Sequence, residues 1–402
     1  MSVHKPNEVL GTRPPNPTPH PFLLLTSKPS SPSRPPNGRD VERTMNSTFY
    51  VSDPTALGAP WYYTSAPSLI PGIHDKYLSL ASPIVMYWTL SIFFHLLDNY
   101  SHCPPFSWMN VERYRIHDSE EMKARNKATP GEVLRAVIFQ QVIQTAAGYW
   151  WIPDDTHHPP AMSLAEHGQA MQGYAPWVLR VLQVLLGDIT AAQLMKSYGS
   201  HLVYWVYWWI VPTFQTFLAF FVIDTWQYFM HRLFHVNKFL YKHFHSVHHR
   251  LYVPYAYGAL YNHPVEGFVL DTTGAGLAEF IARSSIRQAA LIFGFASAKT
   301  VDDHCGFSLP WDPLQFLYKN NARYHDIHHQ TYGLKYNFSQ PFWIHWDIVL
   351  GTRWDKPNRP LAAEKRALAA AEAKRQAGSP SLSNGGDLSE DSGVAMDVNK
   401  ED

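Results

Sequence analysis

The chain has 402 residues with 33 Lys+Arg and 33 Asp+Glu, so its formal net charge is zero and bulk charge gives no reason to expect nucleic-acid binding. Its two cysteines, Cys103 and Cys305, exclude a disulfide framework and a thiolate metal site. Aromatic residues make up 14% of the chain, and 22 residues are histidine. Both kinds of residue are informative because they gather in particular segments.

The N-terminal 200 residues are predicted to contain two regions. Residues 1–44 are rich in proline and serine and lack the apolar core of a secretory signal, which predicts a disordered segment. Residues 45–200 are predicted to be a membrane or interfacial helical region. Within it, residues 80–97 form an apolar stretch that is long enough to cross a bilayer as a helix.

The middle of the chain carries the strongest membrane signal. Residues 202–223 contain no charged side chain, and their tryptophans and tyrosines are typical of helices anchored at a membrane interface. Weaker apolar stretches predict interfacial helices or further passes, and they occupy residues 133–152, 177–186, 267–281 and 289–301. The sequence therefore predicts an all-α integral membrane protein with about four transmembrane passes.

Three histidine boxes follow residues 202–223. They are His231-x-x-x-His235, His245-x-x-His248-His249 and His325-x-x-His328-His329. On a helix, residues at i and i+4 share one face, whereas His248 and His249 diverge enough to serve different ions. A single buried histidine is usually a hydrogen-bonded core residue, but the repeated spacing favours a metal centre. Eight neutral rings exceed the four ligands of one zinc ion and suit two ions with open positions.

The residues around the boxes resemble a known family. The segments are DTWQYFMHRLFH from Asp224, KHFHSVHH, NHPVE from Asn262, DHCG from Asp303, and YHDIHH. They are similar to those of the fatty acid hydroxylase/sterol desaturase superfamily, and residues 221–354 resemble the fungal and plant sphinganine C4-hydroxylases. Residues 201–358 are accordingly predicted to be the catalytic domain. A charged helix and a disordered acidic tail are predicted for residues 359–402.

The resemblance implies a non-haem di-iron monooxygenase of the endoplasmic-reticulum membrane. A helical cap on the cytosolic side would hold two irons per chain, and O2 would be used to hydroxylate C4 of a sphingoid base or of dihydroceramide. Because the chain has no Gly-rich dinucleotide fingerprint, a separate protein is expected to supply electrons. The resemblance implies that this donor is cytochrome b5 with its NAD(P)H reductase. No catalytic side chain is expected beyond the metal centre.

The resemblance also extends the set of candidate site residues. Two histidines outside the boxes complete a set of ten ligands, which are His231, His235, His245, His248, His249, His263, His304, His325, His328 and His329. From their positions beside the histidines, three carboxylates are candidates for accepting the outer ring N–H of a ligand, namely Asp224, Glu266 and Asp303. Asp224 lies seven residues before His231, two helical turns away on the same face. We interpret His243 and His345, which lie outside the boxes, as structural residues.

Several alternatives remain open from the sequence. A sterol C5-desaturase, a C4-methyl sterol oxidase and a fatty acyl 2-hydroxylase share the boxes. A zinc-dependent membrane hydrolase or a metal-binding membrane protein represents a different class. The hydrolase needs glutamate after the first histidine of its box, whereas Arg232 follows His231 here. The sequence does not decide between free sphinganine and dihydroceramide as the substrate.

Overall fold

The computed structural model describes residues 54–104, 106–152, 162–357 and 359–378. The predicted disordered segment 1–44 and the tail from residue 379 lie outside these ranges. The described residues are mostly helical and contain no strand, and their β-pairing is limited to two isolated bridges, Ile70–Ile73 and Arg115–Phe307. The predicted all-α class is therefore confirmed for this part of the chain.

We number the described α-helices in chain order. They are α1 Asp75–Tyr100, α2 Ser119–Arg125, α3 Pro130–Trp151, α4 Leu164–Gln172, α5 Ala175–Leu186, α6 Asp188–Trp205, α7 Val211–Val236, α8 Lys238–Leu240, α9 Pro264–Gly267, α10 Thr273–Ala282, α11 Ile286–Asp303, α12 Pro313–Leu317, α13 Ala322–His329, α14 His345–Val349 and α15 Ala362–Gly378. Single π turns occupy Val206–Ile210, Tyr241–His245 and Phe268–Thr272. Short 3-10 turns occupy Pro54–Leu57, Ser107–Met109, Val111–Tyr114, His248–Arg250 and Ala256–Leu260.

Two described helices are long and apolar enough to cross a membrane, Asp75–Tyr100 and the composite helix Asp188–Val236. The composite helix joins α6, a π turn and α7. At 1.5 Å per residue it is roughly 73 Å long, more than twice the ~30 Å hydrocarbon core of a bilayer. Its charge-free part, residues 202–223, is long enough for a membrane span, and His231 and His235 follow it on the same helix. The predicted domain boundary between residues 200 and 201 falls inside this helix.

The prediction of about four passes is not confirmed beyond these two helices. The apolar residues 177–186 belong to α5, which has only 12 residues. Residues 267–281 are divided by the π turn Phe268–Thr272. Residues 289–301 lie in the 18-residue α11, which also carries Arg287, Lys299, Asp302 and Asp303. These stretches are therefore too short, interrupted or charged to meet the length and composition of a span.

Small residues let α11 pack closely along α1. A Cβ atom added to Gly294 would lie 2.3 Å from Ser82 Oγ, so a larger residue would displace the Ser82 hydroxyl from this crossing. Two hydroxyls bridge the helices, because Ser82 Oγ donates to the Ala290 carbonyl at 2.6 Å and Ser297 Oγ donates to the Pro83 carbonyl at 2.8 Å. Small residues and hydroxyl bridges of this kind are typical of helix pairs in membranes. The contact fixes α11, whose last residue precedes His304.

Two buried apolar clusters support the histidine region. The larger includes Tyr87 and Leu97 of α1, together with Leu251 and Phe307 from the loops around the second box and α11. The smaller joins α7, α10 and α11 and includes the fully buried Phe342. Burying such side chains contributes roughly 1.5–3 kcal/mol each. The smaller cluster thus packs the middle of α7 against α10 and α11, and the larger packs the end of α11 and the loops around it against α1.

Candidate metal centre

The structure gathers nine histidines into two groups. The first histidine group contains His231, His235, His245, His249 and His328, and the second histidine group contains His248, His304, His325 and His329. Within each group, the candidate ligand atoms lie within 4.8 Å of one another. Every ring except that of His235 belongs to a buried residue, and His235 is half-buried. The described chain therefore offers two compact sets of imidazoles.

Local structure explains how the boxes supply these groups. His231 and His235 lie one turn apart on α7, as their spacing predicts. The third box lies on α13, whose first turn is capped because the Asn321 side chain accepts the Tyr324 backbone N–H at 3.1 Å. The second box spans a π turn and a 3-10 turn, so a regular α-helix does not carry it. His248 and His249 enter different groups.

Several inner ring nitrogens lie close together. In the first group, His245 Nε2 is 2.7 Å from His235 Nε2 and 3.0 Å from His249 Nε2. In the second group, His325 Nε2 is 3.0 Å from His304 Nε2 and 3.1 Å from His329 Nε2. Two metal–imidazole bonds of about 2.1 Å at a right angle would place their nitrogens about 3 Å apart. The observed separations therefore fit neighbouring ligand positions around an ion.

Backbone carbonyls fix the tautomer of five rings. The Nδ1 atoms of His231, His248, His304, His328 and His329 lie 2.7–3.1 Å from the carbonyl oxygens of Phe338, Tyr261, Thr300, Tyr336 and Leu251, respectively. A carbonyl oxygen only accepts, so each Nδ1 carries the proton, and in the neutral ring Nε2 keeps a free lone pair. His328 Nε2 is buried and has no hydrogen-bond partner among the described residues. The Nε2 lone pairs of these rings are therefore free to bind a cation.

Burial keeps the rings outside α7 uncharged. It lowers the pKa of His248 to about 4, although the bond to the Tyr261 carbonyl opposes this shift. Burial and then the neighbouring His248 ring lower the pKa of His304 to about 3. Burial also lowers the pKa of His325 well below its usual value, with His304 as the next cause. Because metal binding requires the unprotonated ring, these histidines are ready to act as ligands at neutral pH.

One of the three candidate carboxylates contacts a ring. Glu266 Oε1 lies 2.5 Å from His245 Nδ1, and both side chains are buried. A carboxylate behind an imidazole orients the ring and makes its inner nitrogen a better donor to a metal. The geometry places Glu266 where this role requires it.

The other two carboxylates have different partners. Asp224 accepts the backbone N–H groups of Phe342 and Trp343 at 3.0 and 2.7 Å. It lies seven residues before His231, about 10.5 Å along the helix, which is farther than a carboxylate reaches. Asp303 forms a buried ion pair with Lys299 instead of contacting the His304 ring. These two residues hold the surrounding segments in place.

His263 does not join either histidine group. It is half-buried at the start of α9, where its Nδ1 accepts the Val265 backbone N–H at 3.2 Å and its ring packs on Phe244. Because Nδ1 accepts here, Nε2 carries the proton in the neutral ring and has no free lone pair for a metal, unlike the five rings held by carbonyl groups. His243 is exposed and His345 is half-buried, and both also lie outside the groups.

A small polar cavity adjoins both groups. It has a volume of about 40 Å³, room for about three water molecules. His231 and His245 of the first group line it, as do the second-group rings His248, His304 and His325. Its wall also includes polar side chains that were not candidate site residues from the sequence, namely Gln227, Asn262, Asp271 and Gln340.

Asp271 and Asp347 anchor segments beside the site, and sequence reasoning missed both. Asp271 accepts N–H bonds from Gln140 and Gln227, each at 2.9 Å. Asp347 is fully buried, and its donors are Phe338 N at 3.0 Å, Ser339 N at 2.8 Å, Tyr324 Oη at 2.8 Å and Thr352 Oγ1 at 2.6 Å. It thereby fixes Phe338, whose carbonyl holds His231. No spacing rule in the sequence identifies such distant partners.

The two apolar spans and the nine clustered histidines define a class, that of helical membrane proteins with a polyhistidine centre. Residues 216–352 match the family model described as fatty acid hydroxylase. The chain is 43% identical over 324 residues to the sphingolipid C4-hydroxylase of Saccharomyces cerevisiae, an alignment that covers 77% of this chain and 85% of the yeast protein. The chain therefore belongs to the fatty acid hydroxylase family.

Two plant relatives match over a similar length. Sphinganine C4-monooxygenase 1 of Arabidopsis thaliana is 40% identical over 73% of this chain and 92% of its own length. The very-long-chain aldehyde decarbonylase GL1-9 of Oryza sativa subsp. japonica is 37% identical over 70% of this chain and 89% of its own length. No solved structure matches the chain.

Proposed function

We propose that this protein is a sphingolipid C4-hydroxylase, an O2-dependent monooxygenase that hydroxylates C4 of sphinganine or of dihydroceramide. The observation that carries the proposal is the pair of buried histidine groups, in which neutral rings direct free nitrogen lone pairs inward. The names of the yeast and Arabidopsis relatives support the substrate class. The resulting lipid would be of the phytosphingosine type.

We assign the nine clustered histidines to two iron ions, with five rings for one ion and four for the other. The donor set fits, because imidazole suits iron and neither group contains a cysteine or a carboxylate. When bound, iron would supply the activation of O2, which amino-acid side chains cannot provide. His263 is not part of this assignment, since it lies outside both groups.

The groups around the ions would orient the ligand rings and leave a cavity beside them. Carbonyl groups and Glu266 hold the outer ring nitrogens, so the inner nitrogens keep one direction. The polar cavity touches rings of both groups and would receive the reacting carbon and the water that is formed. For each lipid hydroxylated, the reaction consumes one O2, two electrons and two protons and releases one water.

The position of the site relative to the membrane suits a lipid with a polar head. His231 and His235 follow the charge-free residues 202–223 on the same composite helix, so the centre would lie near the membrane surface. C4 of a sphingoid base is only a few carbons from the head group. The rest of the tail would remain in apolar surroundings, where its transfer free energy is favourable.

The proposed electron donor determines which side of the membrane we assign to the histidine groups. Because the chain has no dinucleotide fingerprint of its own, we assign electron delivery to a separate protein. From the family resemblance, we take this donor to be cytochrome b5 with its NAD(P)H reductase. These donors imply an endoplasmic-reticulum membrane with the histidine groups on the cytosolic side.

A second candidate activity comes from the rice relative, whose name specifies an aldehyde decarbonylase. Histidine groups of this kind would also serve that chemistry. The two activities differ in their products, since decarbonylation shortens an aldehyde and leaves sphingoid bases unchanged.

The test is expression in cells that lack their own sphingolipid C4-hydroxylase. The wild-type chain is expected to restore 4-hydroxylated long-chain bases and to lower the dihydro-type bases, as measured by lipid mass spectrometry. His248→Ala, present in membranes at equal abundance, should restore neither. Changes confined to long-chain aldehydes or to sterol intermediates would contradict the proposed substrate.

A further inference from the structure

Cationic side chains and aromatic rings form a distinct surface close to the third histidine box. We define the cationic–aromatic surface by Arg323, Tyr332, Lys335, Tyr336, Arg353, Trp354, Lys356 and Arg359. Four of its five cations, Lys335, Arg353, Lys356 and Arg359, are exposed. The aromatic rings are half-buried, so each offers an edge or face to solvent while it packs against its neighbours.

Contacts join six of the eight residues of this surface, and the other two, Lys335 and Arg353, are the chain neighbours of Tyr336 and Trp354. The Arg359 guanidinium lies 4.2 Å from the centre of the Tyr332 ring, and Lys356 Nζ lies 5.3 Å from the Trp354 ring. The Trp354 ring is 5.1 Å from that of Tyr332 and 5.3 Å from that of Tyr336. Arg323 also joins the surface, because it donates to the Arg359 carbonyl at 2.6 Å.

The five cations of this surface outnumber the one exposed carboxylate that adjoins them in the chain, Asp355, which lies between Trp354 and Lys356. Within the described ranges, none of its five cations forms an ion pair with a carboxylate. Elsewhere, Arg115, Arg125 and Arg287 are each paired with an acidic side chain. A cluster of unpaired, exposed cations attracts an acidic partner and accelerates its association.

The surface is directly connected to the first histidine group. The Tyr336 carbonyl lies 2.7 Å from His328 Nδ1, and the Tyr336 ring contacts that of Trp354. The Trp354 backbone N–H also donates to Asn337 Oδ1 at 2.8 Å, next to Tyr336 in the chain. Short contacts therefore lead from a solvent-facing aromatic ring to a candidate metal ligand.

We propose that the cationic–aromatic surface is the docking site of the electron donor, a one-electron redox protein with an acidic face. This inference rests on the proposed function. Two reduced donor molecules would each lose one electron here per turnover, and these two electrons, with O2 and two protons, yield one hydroxyl group and one water. The connection to His328 favours a redox protein over an anionic lipid surface, which would need no route to the histidines.

The test compares two double charge reversals in the full-length protein in membranes. Lys335→Glu/Lys356→Glu alters the proposed docking site. Lys123→Glu/Lys238→Glu reverses two exposed cations elsewhere as the matched control. The probe is the reduced soluble haem domain of cytochrome b5, and the readout is its KM at low and high ionic strength, with turnover by a small-molecule reductant measured in parallel.

We expect the docking-site variant to raise the KM for the haem domain about tenfold at low ionic strength, and the control to stay within about twofold. The difference should vanish near 1 M salt, where the screening length is about 3 Å. Turnover with the small reductant should be unchanged in both variants. Equal KM values in the two variants would overturn the docking site. This holds even if the docking-site variant also binds less well to anionic vesicles. Failure of the proposed function would look different, since the wild type would form no 4-hydroxylated product with either reductant.

Discussion

The two histidine groups differ in the origin and support of their rings. The first takes both histidines of α7 and has a carboxylate, Glu266, behind one ring. The second takes no residue from α7 and depends on His304, which belongs to no box and whose outer nitrogen contacts the Thr300 carbonyl. A histidine box is therefore not equivalent to a metal site, because each site combines residues from distant segments.

The second and third boxes divide between the groups in opposite ways. In the second box, His245 and His249 enter the first group and His248 enters the second. In the third box, His325 and His329 enter the second group and His328 enters the first. The pair at i and i+4 stays together while the residue at i+3 crosses over. Neither group is complete without both boxes, so the two sites are structurally interdependent.

Substitution of the i+3 histidines, His248 and His328, should give the largest effect. His248→Ala and His328→Ala each remove a ligand from one group, and we expect turnover to fall at least about 100-fold while iron falls from two to about one per chain. Product formation and iron content of the purified variants are the measurements. His243→Ala is the control, because that exposed ring bonds only to the Phe239 carbonyl in its own turn. Full activity in either crossing variant would remove that residue from the centre.

Loss of the single supporting carboxylate should affect one group more than the other. Glu266→Gln keeps the size of the side chain but replaces the carboxyl group behind His245 with an amide, so metal affinity of the first group should fall about 10- to 100-fold. Iron retained after dialysis against a chelator measures this, with the exposed Glu120→Gln as the control. Equal loss of iron from both groups would contradict the distinction between them.

The anchor at Asp347 should have a smaller, mainly structural effect. Asp347→Asn weakens the bonds that hold Phe338 and Ser339, and one unsatisfied buried donor costs about 1–3 kcal/mol in the free energy of unfolding. The thermal unfolding midpoint in detergent should decrease, and iron should be lost from the first group before the second. The exposed Asp355→Asn is the control. An unchanged midpoint would show that the segment does not depend on this carboxylate.

The smallest effect is expected at His263. His263→Ala removes a ring that lies outside both groups, so activity and iron content should stay within about twofold of wild type. Loss of one iron in this variant would restore the ten-ligand prediction made from the sequence.

The sequence predicted the parts of the site that depend on local spacing. The helical positions of His231 and His235, the divergence of His248 from His249 and the charge-free residues 202–223 are all properties of neighbouring residues. The resemblance pointed to His304, which the structure places in the second group. Iron as the bound metal stays a prediction.

Contacts between distant segments could not be predicted in the same way. The His231–Phe338 contact joins residues 107 positions apart, and the His329–Leu251 contact joins residues 78 apart. No periodicity encodes such partners. Asp224 illustrates the error that results, since a helical-face argument assigned it to a ring and ignored the rise along the helix.

Iron analysis of the purified full-length protein is the most direct test of the two-site assignment. Elemental analysis of wild type, His248→Ala and His328→Ala should give about two irons per chain in the first and about one in each variant, with loss of O2-dependent hydroxylation in both variants. A single tightly bound zinc in the wild type, unchanged by either substitution, would contradict the account of two iron sites that share the second and third boxes.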